Sequence, residues 1–405
     1  MTRLSVLRLG LLAPLFAMLG QSACSTAPVT PALGLFDDAR FGPPSVRTDR
    51  AQLFEISPAM DRFLQQQLSG PIRAHGTRRG LFTALNEGGH LQLDYDDSLT
   101  RTAAQAFEAR AGNCLSLVVM TAAFARALEL RVDYQSVHID EVWSRSRNFL
   151  MLSGHVNLSL SPGIREINRS VSRLGALVID FIPIDEDARQ RAISLSEATI
   201  VAMFMNNRAV ELMELGDLNS AYAMLRTGLQ ADPLYLNAVN TLGVLYRRHG
   251  DLDLAERSLR WVLTQEPRNL QALSNLGLVL RAQKRVDEAL VVEATLQSLQ
   301  PRTPFADYER GLAAAKAGDW AAARVAFERE LKRVAQFHEL HYWLGRTYFE
   351  LGERELAATH MQEARDQALT LDQRSRYAYK LEVLRRPPQR PTATPQGSAN
   401  APKPP

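Results

Sequence analysis

The stretch LYLNAVNTLGVLYRRHGDLDLAERSLRWVLTQEP, residues 234–267, is one copy of a pattern that recurs every 34 residues in the C-terminal half of the chain. Each copy carries a small residue in its first half, a glycine or once a lysine in its middle, and an alanine in its second half. Because small residues let two helices approach closely, the pattern predicts helix pairs that stack in series. The registers are Ala209, Gly243, Gly277, Gly311 and Gly345; Gly216, Gly250, Lys284, Gly318 and Gly352; Ala221, Ala255, Ala289, Ala323 and Ala357; and Pro233, Pro267 and Pro301.

A unit of 34 residues with these fixed points resembles the tetratricopeptide repeat. The registers give five repeats over residues 199–371, which implies an all-α solenoid. The charged run that follows predicts a capping helix over residues 372–386. The last 19 residues, 387–405, hold 7 prolines and cannot build a core, so we expect a disordered tail there.

Repeat arrays of this kind hold a partner protein or peptide along a concave surface. One register on the first helices carries side chains that can hydrogen-bond an extended chain: Asn206, Asn240, Ser274, Tyr308 and Tyr342. The alternative is that these are solvated helix positions without a ligand. His338 and His341 lie three residues apart on a helix, but without a third ligand we expect packing residues there and not a metal site.

The first 24 residues, MTRLSVLRLGLLAPLFAMLGQSAC, have the layout of a secretory signal. Their apolar stretch is shorter than the roughly 20 residues that a helix needs to span a bilayer. Small residues before Cys24 resemble a bacterial lipoprotein signal, which implies removal of residues 1–23, a lipid on Cys24 and an outer-membrane protein that faces the periplasm. Ordinary secretion into the periplasm is the alternative. Residues 24–45, rich in small residues and proline, predict a flexible spacer.

The composition and charge of the chain exclude several classes of function. Of 405 residues, 46% are apolar and 22% are charged, as in ordinary globular proteins, and a net charge of +3 is too small to indicate nucleic acid. The acidic run DYDDS, residues 94–98, lacks the glycine and the distal glutamate of a calcium loop. We expect it instead to precede a helix with Ser98 as N-cap. The sequence shows no metal-ligand set and no phosphate-binding loop, so neither a metal nor a cofactor is expected.

Residues 46–198 lack the repeat period and predict a separate α+β domain, with helices first and antiparallel strands afterwards. Helical patterns cover 58–68 and 98–110, and an uncharged run from Leu115 to Ala125 predicts a buried helix. Strand-like runs follow at 131–139, 148–161 and 175–183.

Cys114 stands at the start of the uncharged run, and Cys24 is the only other cysteine. If Cys24 carries lipid, Cys114 has no intramolecular partner, and it is either a reactive or intermolecularly linked thiol or a small apolar filler. Gly112 and Asn113 indicate the helix start, which places Cys114 in the first turn. Unpaired N–H groups and the helix dipole favour a thiolate there, and a thiolate is the attacking species.

Two further side chains fit the same chemistry. In SGHVNLSL, His155 alternates with aliphatic residues and therefore lies opposite the apolar face of its strand, although a solvent-facing bystander is the alternative. Asp180 lies inside LVIDFI, where a carboxylate needs a partner. That partner is an imidazole on the neighbouring strand, or Arg169 or Arg173, unless the strand end is exposed.

A cysteine at a helix start, a histidine on a strand and an aspartate on the next strand can act as nucleophile, base and orienting acid. The stretches AGNCLSLVVMTAAFARALELRVDYQSV (111–137), SGHVNLSL and LVIDFIP resemble the transglutaminase-like superfamily of papain-like thiol enzymes. The resemblance implies a papain-like α+β domain with Cys114 as nucleophile, His155 as general base and acid, and Asp180 as orienting carboxylate. Glu129 departs from the family pattern, because a glycine commonly ends the cysteine helix.

The resemblance implies acyl transfer through a cysteine thioester, either hydrolysis of an amide or peptide or transfer to an amine. With the lipoprotein signal and the repeats, it implies a membrane-tethered thiol enzyme that acts on protein or peptide substrates in the periplasm. Because fold membership does not determine activity, the alternative is a non-catalytic scaffold lipoprotein in which the repeats bind partners and the thiol domain is inactive.

Overall fold

The computed structural model describes residues 32–86, 91, 93–96, 99–137, 143–146, 149–152, 155–161, 176–181, 192–299, 305–334, 337–368 and 371–385. The predicted secretory signal, Cys24 and the proline-rich tail lie outside these residues. Within them, no helix is both long and apolar enough to cross a bilayer.

The described residues of the N-terminal half include five α-helices: α1 (Pro58–Gln66), α2 (Ser69–His75), α3 (Thr77–Asn86), α4 (Ala103–Ala109) and α5 (Cys114–Ala127). The helices predicted at 58–68 and 98–110 correspond to α1 and α4. Thr102, and not Ser98, is the N-cap of α4, because Thr102 and Gln105 form a reciprocal capping box.

Six of the eight described strands follow α5, as the sequence predicts, whereas the first two, of two residues each, lie between α3 and α5. The eight are β1 (Asp94–Tyr95), β2 (Ala111–Gly112), β3 (Arg131–Val137), β4 (Trp143–Ser146), β5 (Phe149–Leu152), β6 (His155–Ser161), β7 (Leu177–Ile179) and β8 (Ala192–Leu195). An antiparallel sheet has the order β7–β6–β3–β8. The predicted strand at 148–161 is thus two strands, β5 and β6, which belong to different sheets.

Helix α5 packs against β6 and supplies the centre of this domain. Every residue from Leu115 to Ala125 is buried, as the uncharged run predicts. On β6, Val156, Leu158 and Leu160 are buried, and so are Asn157 and Ser159 on the alternate positions. Both faces of the strand are therefore covered, so the polar side of β6 is not the solvent-facing side that alternation alone suggests.

Ten helices pair in sequence through the C-terminal half. They are α6 (Glu197–Glu214), α7 (Leu218–Ala231), α8 (Leu236–His249), α9 (Leu252–Gln265), α10 (Leu270–Ala282), α11 (Val286–Leu299), α12 (Ala306–Lys316), α13 (Trp320–Leu331), α14 (His338–Glu350) and α15 (Arg354–Gln367). Helix α16 (Leu371–Arg385) follows the last pair and packs on α15.

The small residues of the first helices allow close packing within a pair. A Cβ added to Gly311 would lie 2.4 Å from the ring of Phe327, and one added to Gly243 would lie 2.8 Å from Leu259. Neither distance is possible without a shift of the neighbouring helix. Close approach is therefore the physical reason for the small-residue register.

Helix α6 joins the two halves of the chain. Arg126 at the end of α5 forms an ion pair with Glu197, and the Thr100 N–H donates to the Glu211 carboxylate at 2.7 Å. One hydrophobic cluster accordingly runs from Ala32 through α5 and α6 to Ala289 in α11. A second cluster begins at Phe305.

Residues 32–45, called the strap below, correct one prediction. The sequence predicts a flexible spacer over 24–45, but Ala32 and Leu35 are buried and Phe41 stacks on Tyr222 of α7 at a centroid distance of 4.0 Å. Aromatic and acidic side chains within this stretch give it contacts that a small-residue spacer lacks.

A residue with a left-handed backbone stands one or two positions after the end of each first helix. Gly216, Gly250, Gly318 and Gly352 have φ values between 78° and 99°, and Lys284 occupies the fifth position with φ 64°. A side chain in this conformation costs about 1–2 kcal/mol, so Lys284 is strained where its counterparts are not.

We therefore expect Lys284→Gly to raise the free energy of local opening of α10 and α11 by about 1 kcal/mol. The Lys284 side chain is exposed, so its removal loses little packing. Gly250→Lys is the reciprocal control and should lower stability by a similar amount. Native-state hydrogen exchange measures both, and an unchanged or lower protection in Lys284→Gly would contradict the strain argument.

Candidate functional site

Cys114 is the first residue of α5, as the sequence predicts. Asn113 is the N-cap: its side chain accepts from the Ser116 N–H at 2.9 Å, and its amide donates to Thr100 Oγ1 at 2.9 Å. A Cβ on Gly112 would lie 2.7 Å from the Ser116 Cβ, so the turn into the helix requires glycine. This local geometry fixes the position of the thiol.

The Cys114 thiol is free, and the residue is half-buried. Its sulfur is surrounded by protein atoms, and this burial raises the pKa of the thiol above its usual value. The main chain at Val156 and at Leu115 lowers the pKa of the thiol, while the charge of Asp180 raises it. Burial is the largest of these effects, so the expectation that the helix start favours a thiolate is wrong for this structure.

Asp180 directly follows β7 and lies one step beyond the cross-strand pair Leu158 and Ile179. In this position its Oδ2 accepts a hydrogen bond from Asn157 Nδ2 at 3.0 Å. Asn157 is 1% exposed, so the sheet supplies a buried amide donor to the carboxylate. Arg169 and Arg173, the alternative partners from the sequence, lie outside the described residues.

His155 is the first residue of β6, opposite Val137 of β3. Helix α5 packs against β6, and the main chain of the neighbouring Val156 lowers the pKa of the Cys114 thiol, so the start of β6 lies near the thiol. The His155 imidazole lies outside the described part of the chain. The structure thus brings together Cys114, Asp180 and the backbone of His155.

Asn157 is a residue of this site that sequence reasoning missed. Alternation places it on the polar side of β6, but only the register with β7 shows that it faces Asp180. The two strands are separated in sequence by residues 162–176, so no local pattern signals their register. Together these groups can present a neutral thiol next to backbone donors and an anchored carboxylate.

The predicted binding register of the repeats does not form a shared open row. Asn206, Asn240 and Tyr308 are buried, and Tyr342 stacks on Tyr377 of α16, whereas Ser274 is exposed. Asn240 accepts from Asn275 of the next repeat at 3.1 Å. The register therefore contributes mainly to packing between helices.

The histidines of the last repeat are packing residues in the described part of the chain. His338 Nδ1 lies 3.0 Å from the Tyr377 hydroxyl, and His341 Nδ1 lies 3.0 Å from His360 Nδ1. Tyr348 stacks on His360 at a centroid distance of 5.3 Å. No cluster of three or more potential metal ligands occurs among the described residues.

Burial, reinforced by His341, lowers the pKa of His360 to about 4. The imidazole of His360 is therefore neutral in the folded protein near pH 7. The cause is burial by the packing of the last repeat.

Comparisons with known proteins agree with the repeats. Residues 240–304 and 308–369 match a family model described as tetratricopeptide repeat, so the predicted repeats are confirmed. The chain is similar to a solved structure of MamA protein, with 21% identity over 43% of this chain and 93% of that one and a TM-score of 0.24. It is also similar to a thermophilic TPR protein of Thermus thermophilus, with 23% identity over 45% and 99% of the two chains and a TM-score of 0.26. No curated protein matches the chain.

Asp180→Asn should lower the pKa of the Cys114 thiol, because it removes a negative charge that disfavours the thiolate. We expect iodoacetamide to alkylate Cys114 roughly two- to tenfold faster at pH 8, since desolvation remains the larger effect. Asp133→Asn on β3 is the matched control. Alkylation of Asp180→Asn at the wild-type rate would show that the carboxylate does not act on the sulfur.

The His360 pKa gives stability a defined pH dependence. Because the folded value of about 4 lies below the unfolded value of 6.5, the unfolded chain takes up a proton first as pH falls. Stability from this group is fully present above pH 6.5 and is lost between pH 6.5 and about 4. Thermal melts should show a smaller loss in His360→Gln than in the wild type or in His75→Gln, an exposed control. Parallel curves for all three would contradict the assignment.

Proposed function

We propose that the chain is a transglutaminase-like thiol enzyme that forms an acyl thioester on Cys114, with its tetratricopeptide repeats binding the protein that supplies the substrate. The packing of α5 against β6 supports this proposal most directly, because it sets Cys114 at the start of α5 near the strand that begins with His155. Asp180 on the neighbouring strand segment lies within electrostatic range of the same sulfur.

The chemistry must begin from a neutral thiol, because burial raises the Cys114 pKa. In the proposed step, His155 takes the thiol proton as the sulfur attacks the carbonyl carbon, and the C–S bond forms. The same proton passes to the leaving group as its bond to carbon breaks. Water or an amine then attacks the thioester and restores the thiol. Backbone N–H groups at the start of α5 are available to the oxyanion.

The proposed location rests on the N-terminal sequence. A lipid on Cys24 would hold the enzyme at the outer membrane, facing the periplasm. The repeats and the thiol domain would then meet substrates near the membrane surface.

A non-catalytic scaffold is the second candidate, and one observation favours it. The raised pKa of the Cys114 thiol is typical of a buried structural cysteine and not of a preformed thiolate. In this case the repeats alone carry the function, through protein binding.

An acylation experiment distinguishes the two candidates. The full chain is mixed with p-nitrophenyl acetate, and the acetyl group is located by intact and peptide mass spectrometry. The enzyme should acetylate Cys114 while folded and lose at least about tenfold in rate in His155→Ala. His75→Ala, an exposed control histidine, should keep the wild-type rate. Cys114→Ala should abolish the adduct.

Either of two results would contradict the enzyme hypothesis. If Cys114 reacts only after unfolding, or if His155→Ala reacts at the wild-type rate, the site has no base-assisted nucleophile. The remaining candidate is then a non-catalytic scaffold that binds partner proteins through its repeats.

A further inference from the structure

The strap, residues 32–45, lies across helices of the first two repeats in the manner of a bound peptide. It contains two short 3₁₀ turns, Ala32–Leu35 and Asp38–Arg40, and is otherwise without helix or strand. Its partners are on α7, α8 and α9, near the turns where the first helix of a repeat leads into the second. The partner side chains form the strap surface: Asp217, Asn219, Ser220, Tyr222, Arg226, Tyr246, His249, Asp251 and Arg257.

The strap surface recognises the main chain of the strap. The Tyr246 hydroxyl accepts from the Asp37 N–H at 3.1 Å and donates to the Leu35 carbonyl at 3.0 Å. The Gly42 N–H donates to Asn219 Oδ1 at 2.9 Å. Side chains of the repeats thus satisfy backbone groups that a helix or a sheet would otherwise pair.

The strap surface also recognises specific side chains. Asp38 accepts from the Tyr222 hydroxyl at 2.8 Å and forms an ion pair with Arg226. The hydrogen bond from Tyr222 is the main reason why the pKa of Asp38 is lowered. Phe41 stacks on Tyr222 with an interplanar angle of 12° and lies 4.6 Å from the ring of His249. Through these contacts, the strap surface recognises an acidic side chain and an aromatic side chain that lie three residues apart.

We propose that the strap surface is a peptide-binding site of the first two repeats, which the strap occupies in cis and a partner protein can occupy in its place. The partner segment would be extended and would carry an aromatic residue, two aspartates and a second aromatic residue, as FDDARF does at 36–41. The charges of the two sides match at two places: Arg226 forms an ion pair with Asp38, and Asp251 forms one with Arg40 of the strap. This binding function does not depend on Cys114, so it stands or falls separately from the proposed enzyme.

Occupation in cis has a measurable consequence. A tethered segment competes at an effective concentration on the order of millimolar. A free peptide of the same sequence must therefore bind the wild type far more weakly than a chain whose strap is disabled. The strap in this way limits which partners bind.

The test uses the full chain and a fluorescent peptide of residues 32–45. The Asp38→Lys/Phe41→Ala double variant disables the strap but leaves the strap surface intact. It should bind the peptide saturably, and the wild type should bind at least tenfold more weakly. Adding Arg226→Glu to the double variant should reduce binding at least tenfold, and a peptide with both strap changes is the control ligand.

Three outcomes overturn the proposal. A double variant that melts like the wild type and fails to bind the peptide shows that the strap surface is not a site. Equal affinity of the wild type and the double variant shows that the strap does not occupy the measured site. A concentration-dependent dimer linked through exchanged straps assigns the surface to a second copy of the chain.

If the double variant does not fold, a second measurement on the wild-type chain tests the proposal. A protease site inserted after Val46 allows the strap to be cut from the folded wild-type chain. Replacement of the cut strap by labelled peptide supports exchange. Retention of the strap under excess peptide, or unfolding of the chain on its loss, shows an integral part of the fold and overturns the proposal.

Discussion

Burial of helix α6 on two sides is the constraint on which the rest of the structure depends. Its apolar side chains, among them Ile200, Met205 and Met213, are buried in the cluster that includes α5 and the next repeats. Polar contacts to Thr100 and Arg126 tie the same helix to the α+β domain. A repeat array alone would need a polar cap at this end. Here the α+β domain takes that place, so the thiol and the first repeats share one core.

The repeats were predictable because their packing is local and periodic. A small residue every 34 positions reports a close contact within one helix pair, and Gly311 against Phe327 shows that contact directly. The same periodicity misled the assignment of a binding row. Asn206, Asn240 and Tyr308 are buried at this register position, although Ser274 at the same position is exposed, so their polarity did not indicate exposure.

The strap and the helices α2 and α3 could not be predicted in the same way. Docking of the strap depends on residues more than 170 positions away, such as Asn219 and Tyr222, and no local pattern signals such contacts. The two phenylalanines and two aspartates within 36–41 were the available clue. They are unusual in a segment whose other residues are mostly small residues and proline.

At the thiol site, the local helix geometry and the tertiary fold have opposite effects on the pKa of the Cys114 thiol. The sequence predicted the helix start and the position of Cys114, and both follow from Gly112 and Asn113. It could not predict the sign of the pKa shift, because the dipole of one helix acts locally while burial by β6 depends on the tertiary fold. The Asn157 contact to Asp180 has the same origin, since it depends on the register of two strands.

The division of the apolar core between Ala289 and Phe305 has a consequence for modularity. Helix α11 buries a single residue, Ala289, among those described, which is fewer than any other helix of the repeats. The last two repeats can then vary in sequence, or be cleaved away, at little energetic expense to the α+β domain. Sequence changes in the last two repeats could therefore alter which partner binds there, while the thiol and its supporting helices stay unchanged.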